Sequence, residues 1–444
     1  MKKLLSWLFP FFLLTLSAAP EPMRVLTDPQ TRRPVLYSAL PRDSRQVLIP
    51  ARYQVKRGEF RGIWVVTYVN LDFPQAGAPA HFQRNYSEML RKIKAAGFNA
   101  VFFQIRPSSD AFYPSAIHPF SRFLAGREGV GYPQFDMLGY MIWEAHRQGL
   151  EFHAWLNPYR VAGMTSLGKT DYLRTLSPKN FARRNPNAVL CVPTPRGNIL
   201  LLDPGEPLVR QHLLATVREI IVKYAPDSIH FDDYFYPYDC TGNADLATYR
   251  KYNRDPRLSI EDWRRQNVNL MIRQVSELIR ANNRRQRKNI RFGISPFGIW
   301  RNRASSALGS PTRGNESYTS NYSDTRTWIR SSWIDYIVPQ IYWKFSHPKA
   351  PYAGLVDWWA DVVRGTNVKL YIGHGAHLAF VAGDPWELKN QLLFNSRRPQ
   401  IAGSSFYSYR RIFEPETQAQ RLAVEHVVFD CWHGTLPPMP KKRK

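Results

Sequence analysis

Two adjacent carboxylates, Asp232 and Asp233, follow a short apolar run in SIHFDDYFYPY, residues 228–238, and lead directly into Tyr234, Phe235, Tyr236 and Tyr238. Two acids are the usual equipment for breaking a glycosidic bond. One gives a proton to the leaving oxygen, and the other stays ionised as base or nucleophile. Ile229 and Phe231 alternate with His230 and Asp232, so an extended chain puts the two pairs on opposite faces. The apolar pair would pack on helices, and the polar pair would reach the C-terminal mouth of a parallel barrel, where such folds do chemistry. The plainer reading is that one acid caps the next loop. Two acids set among so many aromatics make a costly ordinary turn, which favours the chemical reading. Alternation makes Asp232 the first candidate and Asp233, aimed the other way on an ideal strand, the second. A partner acid is then expected from another strand end, with Asp110 and Asp324 as candidates and Glu316 behind them. Asp227 and Asp335 begin their strands and belong at the opposite end of a barrel.

Eight runs rich in β-branched and aromatic residues could supply those strands: 60–69, 99–107, 151–158, 228–234, 291–299, 335–343, 369–377 and 401–410. Amphipathic helical stretches alternate with them at 82–96, 134–148, 206–224, 260–281, 324–333, 352–364, 385–394 and 415–427. Gly97 and Gly149 stand where helices should stop. Eight strand-then-helix units predict an α/β fold of the (β/α)8 TIM type. The stretch 161–204 is too long for a simple connection. Its apolar runs 188–193 and 197–202 around Thr194-Pro195-Arg196-Gly197 predict a hairpin over the barrel mouth. A second, polar insertion after the fifth strand spans 304–323 and reads as a substrate loop.

The strand ends collect polar and aromatic side chains. Gln104 and Arg106 end the second run with Asp110 just after it, and Asn157 ends the third, with Tyr159 and Arg160 just after it. His230 and Tyr234 flank the two acids of the fourth. The fifth holds Ser295, with Trp300 and Arg301 just after it, Gln340, Tyr342 and Trp343 end the sixth, and Tyr407 and Tyr409 end the eighth. Flat rings bury the apolar face of a pyranose, while amides and acids satisfy its hydroxyls. Each residue alone has a core or surface explanation; the signal is their coincidence at successive strand ends. His374 and His377 of the seventh run have no acid or Cys at ligand spacing, so no metal is expected, and the chemistry calls for no cofactor.

Lys and Arg outnumber Asp and Glu by 61 to 35, a net charge of +26. Such a balance favours a polyanionic partner, whether nucleic acid, anionic membrane or acidic glycan. No nucleic-acid recognition motif is present, and residues 1–19 read as an export signal, which argues against nucleic acid. Lys2 and Lys3 precede the apolar stretch 4–16, and Ser17-Ala18-Ala19 offers small residues for cleavage. The expected location is therefore the periplasm or cell envelope, with membrane association only if the signal is retained. Of three cysteines, Cys191 and Cys240 flank the central strand and are the expected pair in an oxidising compartment. The 444 residues divide into the signal, an extended arm at 20–57, the barrel at 58–430 and a basic tail at 431–444.

The motifs FRGIW (60–64), 102–107, HAWLNPYR (153–160), FDDYFY (231–236), ISPFGIWRNR (294–303), 324–328 and PQIYW (339–343) occur in this order. Together they resemble the bacterial glycosyl-hydrolase-like 10 family, and within it the envelope glycosidases acting on denuded peptidoglycan, whose stem peptides have been removed. The resemblance implies a barrel, an exported protein and hydrolysis of a polymer of N-acetylglucosamine and N-acetylmuramic acid. Gln104, Arg106, Asn157, Arg160, Gln340, Tyr342 and Trp343 would then bind sugar. Arg106, Arg160 or Arg301 could pair with the lactyl carboxylate that peptide removal exposes. Division-site proteins are candidate partners. Two other readings use the same residues: a hydrolase of another envelope or extracellular polysaccharide, or a non-catalytic glycan-binding protein that needs the aromatics but not the acids.

Overall fold

The computed structural model describes residues 21–238, 241–377 and 383–438. The expected signal, Cys240 of the expected cysteine pair and the end of the basic tail lie outside them. Eight parallel strands close into a barrel: β1 (Phe60–Val65), β2 (Ala100–Arg106), β3 (Glu151–Leu156), β4 (Ser228–Phe231), β5 (Arg291–Ile294), β6 (Tyr336–Ile337), β7 (Lys369–Gly375) and β8 (Ile401–Tyr407). Each pairs with the next in the chain, and β8 pairs with β1. The principal helices follow one per strand: α1 (Pro79–Ala95), α2 (Met137–Arg147), α3 (Pro207–Lys223), α4 (Ile260–Gln286), α5 (Thr325–Arg330), α6 (Tyr352–Val363), α7 (Glu387–Ser396) and α8 (Gln418–Val428). This is the (β/α)8 architecture that the strand–helix rhythm predicts.

Strands buried on both faces carry apolar side chains almost continuously. Ile63, Val65, Val101, Phe103, Ile229 and Phe231 point to the helices, while Phe60, Trp64, Phe102, Trp155, Tyr336 and Tyr371 fill the interior. Phe60 stacks on Tyr371 with centroids 4.0 Å apart. Glycine makes room for these rings: a Cβ on Gly293 would lie 2.0 Å from the ring of Tyr336. The interior is therefore packed, and open space begins only above it. Helix limits reflect local chemistry. Ser259 caps α4 by accepting from the Asp262 N–H at 3.1 Å, and Thr417 forms a reciprocal capping box with Gln420 on α8. Gly97 and Gly149 end their helices with φ of +90° and +69°.

Three stretches differ from the simplest expectation. The insertion after β3 is a three-stranded antiparallel sheet, Arg160–Thr165, Gly197–Leu202 and Val189–Thr194, not a lone hairpin. Its first strand follows β3 after three residues, too close for a period to register. The 20–57 arm is extended but docked. Met23–Val25 pairs with Leu48–Pro50, and Leu26, Val35, Val47 and Ile49 join the core. Only a short apolar anchor was needed, and proline-rich sequence hid it. The start of the basic tail is likewise packed, with Trp432 against Phe98 and Phe406.

Candidate active site

A cavity of about 570 Å³ opens at the C-terminal mouth of the barrel. Trp64 and Trp155 form its floor, Asp232 and Asp233 stand in its wall, and Ile199, Leu200 and Leu201 of the added sheet close one side. The strand ladder ends at Phe231, so alternation no longer governs the two acids. The chain turns: the Tyr234 N–H donates to Asp232 Oδ1 at 3.3 Å, and the Phe235 N–H to the Asp233 carbonyl at 3.0 Å. Both carboxylates consequently reach one cavity.

Their surroundings differ. Asp232 leans toward β3. Trp155 Nε1 donates to its Oδ2 at 3.1 Å, and Asn157 Nδ2 lies 3.1 and 2.9 Å from Oδ1 and Oδ2. Burial leaves its pKa above the usual carboxylate value, with the Arg160 charge and the Asn157, Trp155 and Tyr234 N–H donors opposing the rise. Asp233 accepts from the Tyr238 hydroxyl, and the Gln340 side chain just beyond β6 helps to offset the cost of its charge. Burial first, and then the neighbouring charge of Asp232, push its carboxyl up to about 6. Two acids with environments that separate their proton affinities are the usual mark of divided acid and base duties. Asp232 receives more N–H donors and lies near the Arg160 charge, whereas Asp233 has fewer donors and faces the charge of Asp232.

Beneath them a polar column runs through the aromatic interior. The Tyr336 hydroxyl lies 2.8 Å from His153 Nδ1 and 3.1 Å from His230 Nδ1. His230 Nε2 meets Ser295 Oγ at 3.0 Å, and the Ser295 carbonyl accepts from Gln340 Nε2 at 2.9 Å. Burial holds His230 well below its usual pKa, so the ring is neutral. His230 is thus a strut under Ser295 rather than a cavity residue.

Of the residues expected at the site, Gln104, Arg160, Asp232, Asp233, Tyr234, Ser295, Gln340 and Tyr342 line the cavity, and Asn157 reaches it through Asp232. The others do not. Arg106 is fully buried, with Nη1 donating to the carbonyls of Asn157 and Pro158. Asp110 opens on a separate small cavity beside Glu128 and Arg122 and accepts from the Ser108 N–H at 3.1 Å. Asp324 caps α5, accepting from Thr327 Oγ1 at 2.6 Å, and Glu316 ties Asn302 at 2.8 Å. Tyr159 packs edge-on against Phe235. Trp300 stacks on Trp358 at 6.1 Å, Arg301 sits over Tyr318 at 5.0 Å, and Trp343 packs on Phe297. His374 is spent on Gln391 and Ser404 at 2.8 and 3.1 Å, while His377 lines the cavity. Among the described residues no three His, Cys, Asp or Glu side chains gather as a metal would need. Tyr407, at the end of the eighth run, also lines the cavity, as do Trp64, Val66, Tyr68 and Tyr238, which are not among the expected ligands. Trp64 to Tyr68 end the first strand, and the same strand-end rule applied there would have found them.

A buried ion pair fixes the loop that carries the aromatics. Arg264 of α4 donates to Asp245 through Nε at 2.9 Å and Nη2 at 2.5 Å, to the Tyr322 hydroxyl at 2.6 Å and to the Gly242 carbonyl at 2.6 Å. Replacing Arg264 by Met leaves Asp245 buried without its cation, and stability should fall by about 3–5 kcal/mol. A denaturant midpoint indistinguishable from wild type would count against this role.

The family model described as glycosyl hydrolase-like 10 matches residues 59–381. Glycosyl hydrolase YngK of Bacillus subtilis is 40% identical over 362 residues, covering 79% of this chain and 68% of its own. Glycosyl hydrolase DigH of Escherichia coli K12 is 37% identical over 394 residues, covering 83% of this chain and 87% of its own. Among solved structures, the PgaB (BpsB) glycoside hydrolase domain from Bordetella bronchiseptica superposes with a TM-score of 0.50 at 14% identity, covering 82% of this chain and 98% of its own. At that identity the likeness shows the shared fold alone.

Proposed function

The chain belongs to the glycosyl hydrolase-like 10 family, and from that premise we propose that this glycoside hydrolase cleaves peptide-free peptidoglycan strands in the cell envelope. The observation that carries the reading is the acid pair in an aromatic-lined cavity at the barrel mouth. Asp233 protonates the glycosidic oxygen as the bond to the anomeric carbon breaks, and water supplies the hydroxyl that ends on that carbon, its remaining proton returning to a carboxylate. Asp232, hydrogen-bonded by Asn157 and Trp155, acts as the ionised partner and faces the positive charge that develops on the sugar ring. Trp64, Trp155, Tyr68 and Tyr407 offer faces to sugar rings, and Gln104, Ser295 and Gln340 offer polar groups to hydroxyls. The export signal expected at 1–19 supports an envelope location.

The test uses the purified mature chain with intact peptidoglycan and with amidase-denuded glycan, products being identified by mass spectrometry. Fragments with hydrated reducing ends from the denuded strands alone are expected. Anhydro-sugar ends would instead assign a lytic transglycosylase. Binding with no product from either would favour a non-catalytic glycan-binding role or another polysaccharide.

A further inference from the structure

The cavity contains a cation that proton transfer alone does not require. Although the chain carries a net charge of +26, Arg160 is the only Arg or Lys among the described residues that line the cavity. Its guanidinium carbon lies 4.6 Å from the ring centre of Tyr68 and 4.8 Å from that of Tyr234. Nη1 donates to the Pro107 carbonyl at 3.1 Å, and the backbone N–H donates to Asn157 Oδ1 at 2.9 Å. A guanidinium has five N–H donors, and the Pro107 carbonyl is the one acceptor its head finds among the described residues. Asp232 acts on it through space, without an ion-pair contact. A side chain gripped by two rings and one carbonyl has little rotamer freedom left to lose on binding. Its free donors form a planar fork that fits a carboxylate.

The other two arginines that could have met such a carboxylate are committed elsewhere. Arg106 is sealed beneath the chain at Asn157 and Pro158. Arg301 lies 3.8 Å from Glu316 and over Tyr318, outside the cavity. Resting on the substrate reading above, we infer that Arg160 determines specificity by pairing with the lactyl carboxylate of the N-acetylmuramic acid bound beside Asp232. That group is an anion only when no peptide is attached. With a peptide in place it is a neutral, bulkier amide, and the pairing is lost. Peptide removal then becomes a condition for tight binding, read by a single charge.

The experiment compares peptide-free glycan strands with the same strands after methyl esterification of their carboxylates, using wild type, R160K and R160Q. Wild type should favour the free acid by roughly 10–100-fold in kcat/KM, the worth of one charge-assisted pairing, expressed mainly in KM. R160Q should bring the ratio close to unity. R160K should fall between, because an ammonium keeps the charge and loses the fork. A wild type with no preference overturns the inference. So does an R160Q that lowers both activities by one factor while its acidic pH limb moves upward, since Arg160 would then serve Asp232 alone. Cleavage of neither form by wild type overturns the substrate reading, and the inference with it.

Discussion

Asp233→Asn is expected to lower kcat on a natural glycan by about 10²–10⁴-fold, the usual worth of a positioned general acid. Turnover of an aryl glycoside with an acidic phenol should fall far less, because that leaving group departs without a proton. The expectation rests on the unequal surroundings of the pair. Asp233 is buried and faces the charge of Asp232, and these outweigh the bond it accepts from Tyr238, so its carboxyl rises to about 6. The protonated form is the active one, so kcat/KM should fall about tenfold per pH unit above roughly 6 in wild type. In the Asn variant, assayed on the activated glycoside, that alkaline limb should vanish. An Asn variant that loses equal activity on both substrates and keeps the limb would remove Asp233 from the acid role.

The same pair shows how far sequence reached. Alternation aims Asp232 into the barrel mouth and Asp233 away, but the strand ends at Phe231, before either acid. The turn made by the Tyr234 and Phe235 N–H groups brings Asp233 back into the cavity. Such a turn is a three-dimensional event with no periodic signature. Arg106 fails for a related reason. Counting by two from Gln104, which lines the cavity, puts Arg106 there as well. The β2–β3 register shifts between Gln104 and Arg106, and an irregularity of that kind reverses the face of the residues beyond it. Asp324 illustrates a different ambiguity. A helix N-cap and a catalytic acid are both Asp at a strand-to-helix boundary, and only the Thr327 contact separates them. The barrel was easier to read, because strands buried on both faces and helices with caps leave long, redundant patterns. Sites depend on single side chains, and one bulge or turn redirects each of them.

Removing the ionised partner tests the other half of the chemistry. Asp232→Asn should lower kcat by about 10²–10³-fold on natural and activated substrates alike. Its carboxylate acts on charge at the anomeric centre, whatever the leaving group. The change is close to isosteric, and the geometry says which bonds survive. An amide oxygen placed at the Oδ2 position still accepts from Trp155 Nε1, 3.1 Å away, and from Asn157 Nδ2 at 2.9 Å. The amide nitrogen then occupies the Oδ1 position, where it meets the Tyr234 N–H at 3.3 Å and Asn157 Nδ2 at 3.1 Å and loses both contacts. The turn should loosen slightly while the barrel stays intact, so the activity loss reports chemistry and not unfolding. Asp232→Ala sharpens the distinction. It opens space beside Asn157 and Trp155, and a small anion such as formate or azide could enter there. Recovery of turnover with added anion, and none with a neutral analogue of the same size, would assign Asp232 to charge stabilisation or nucleophilic attack. Equal residual activity with and without the anion, in a variant that still binds glycan, would leave Asp232 only the role of holding Asn157 and Trp155 in place.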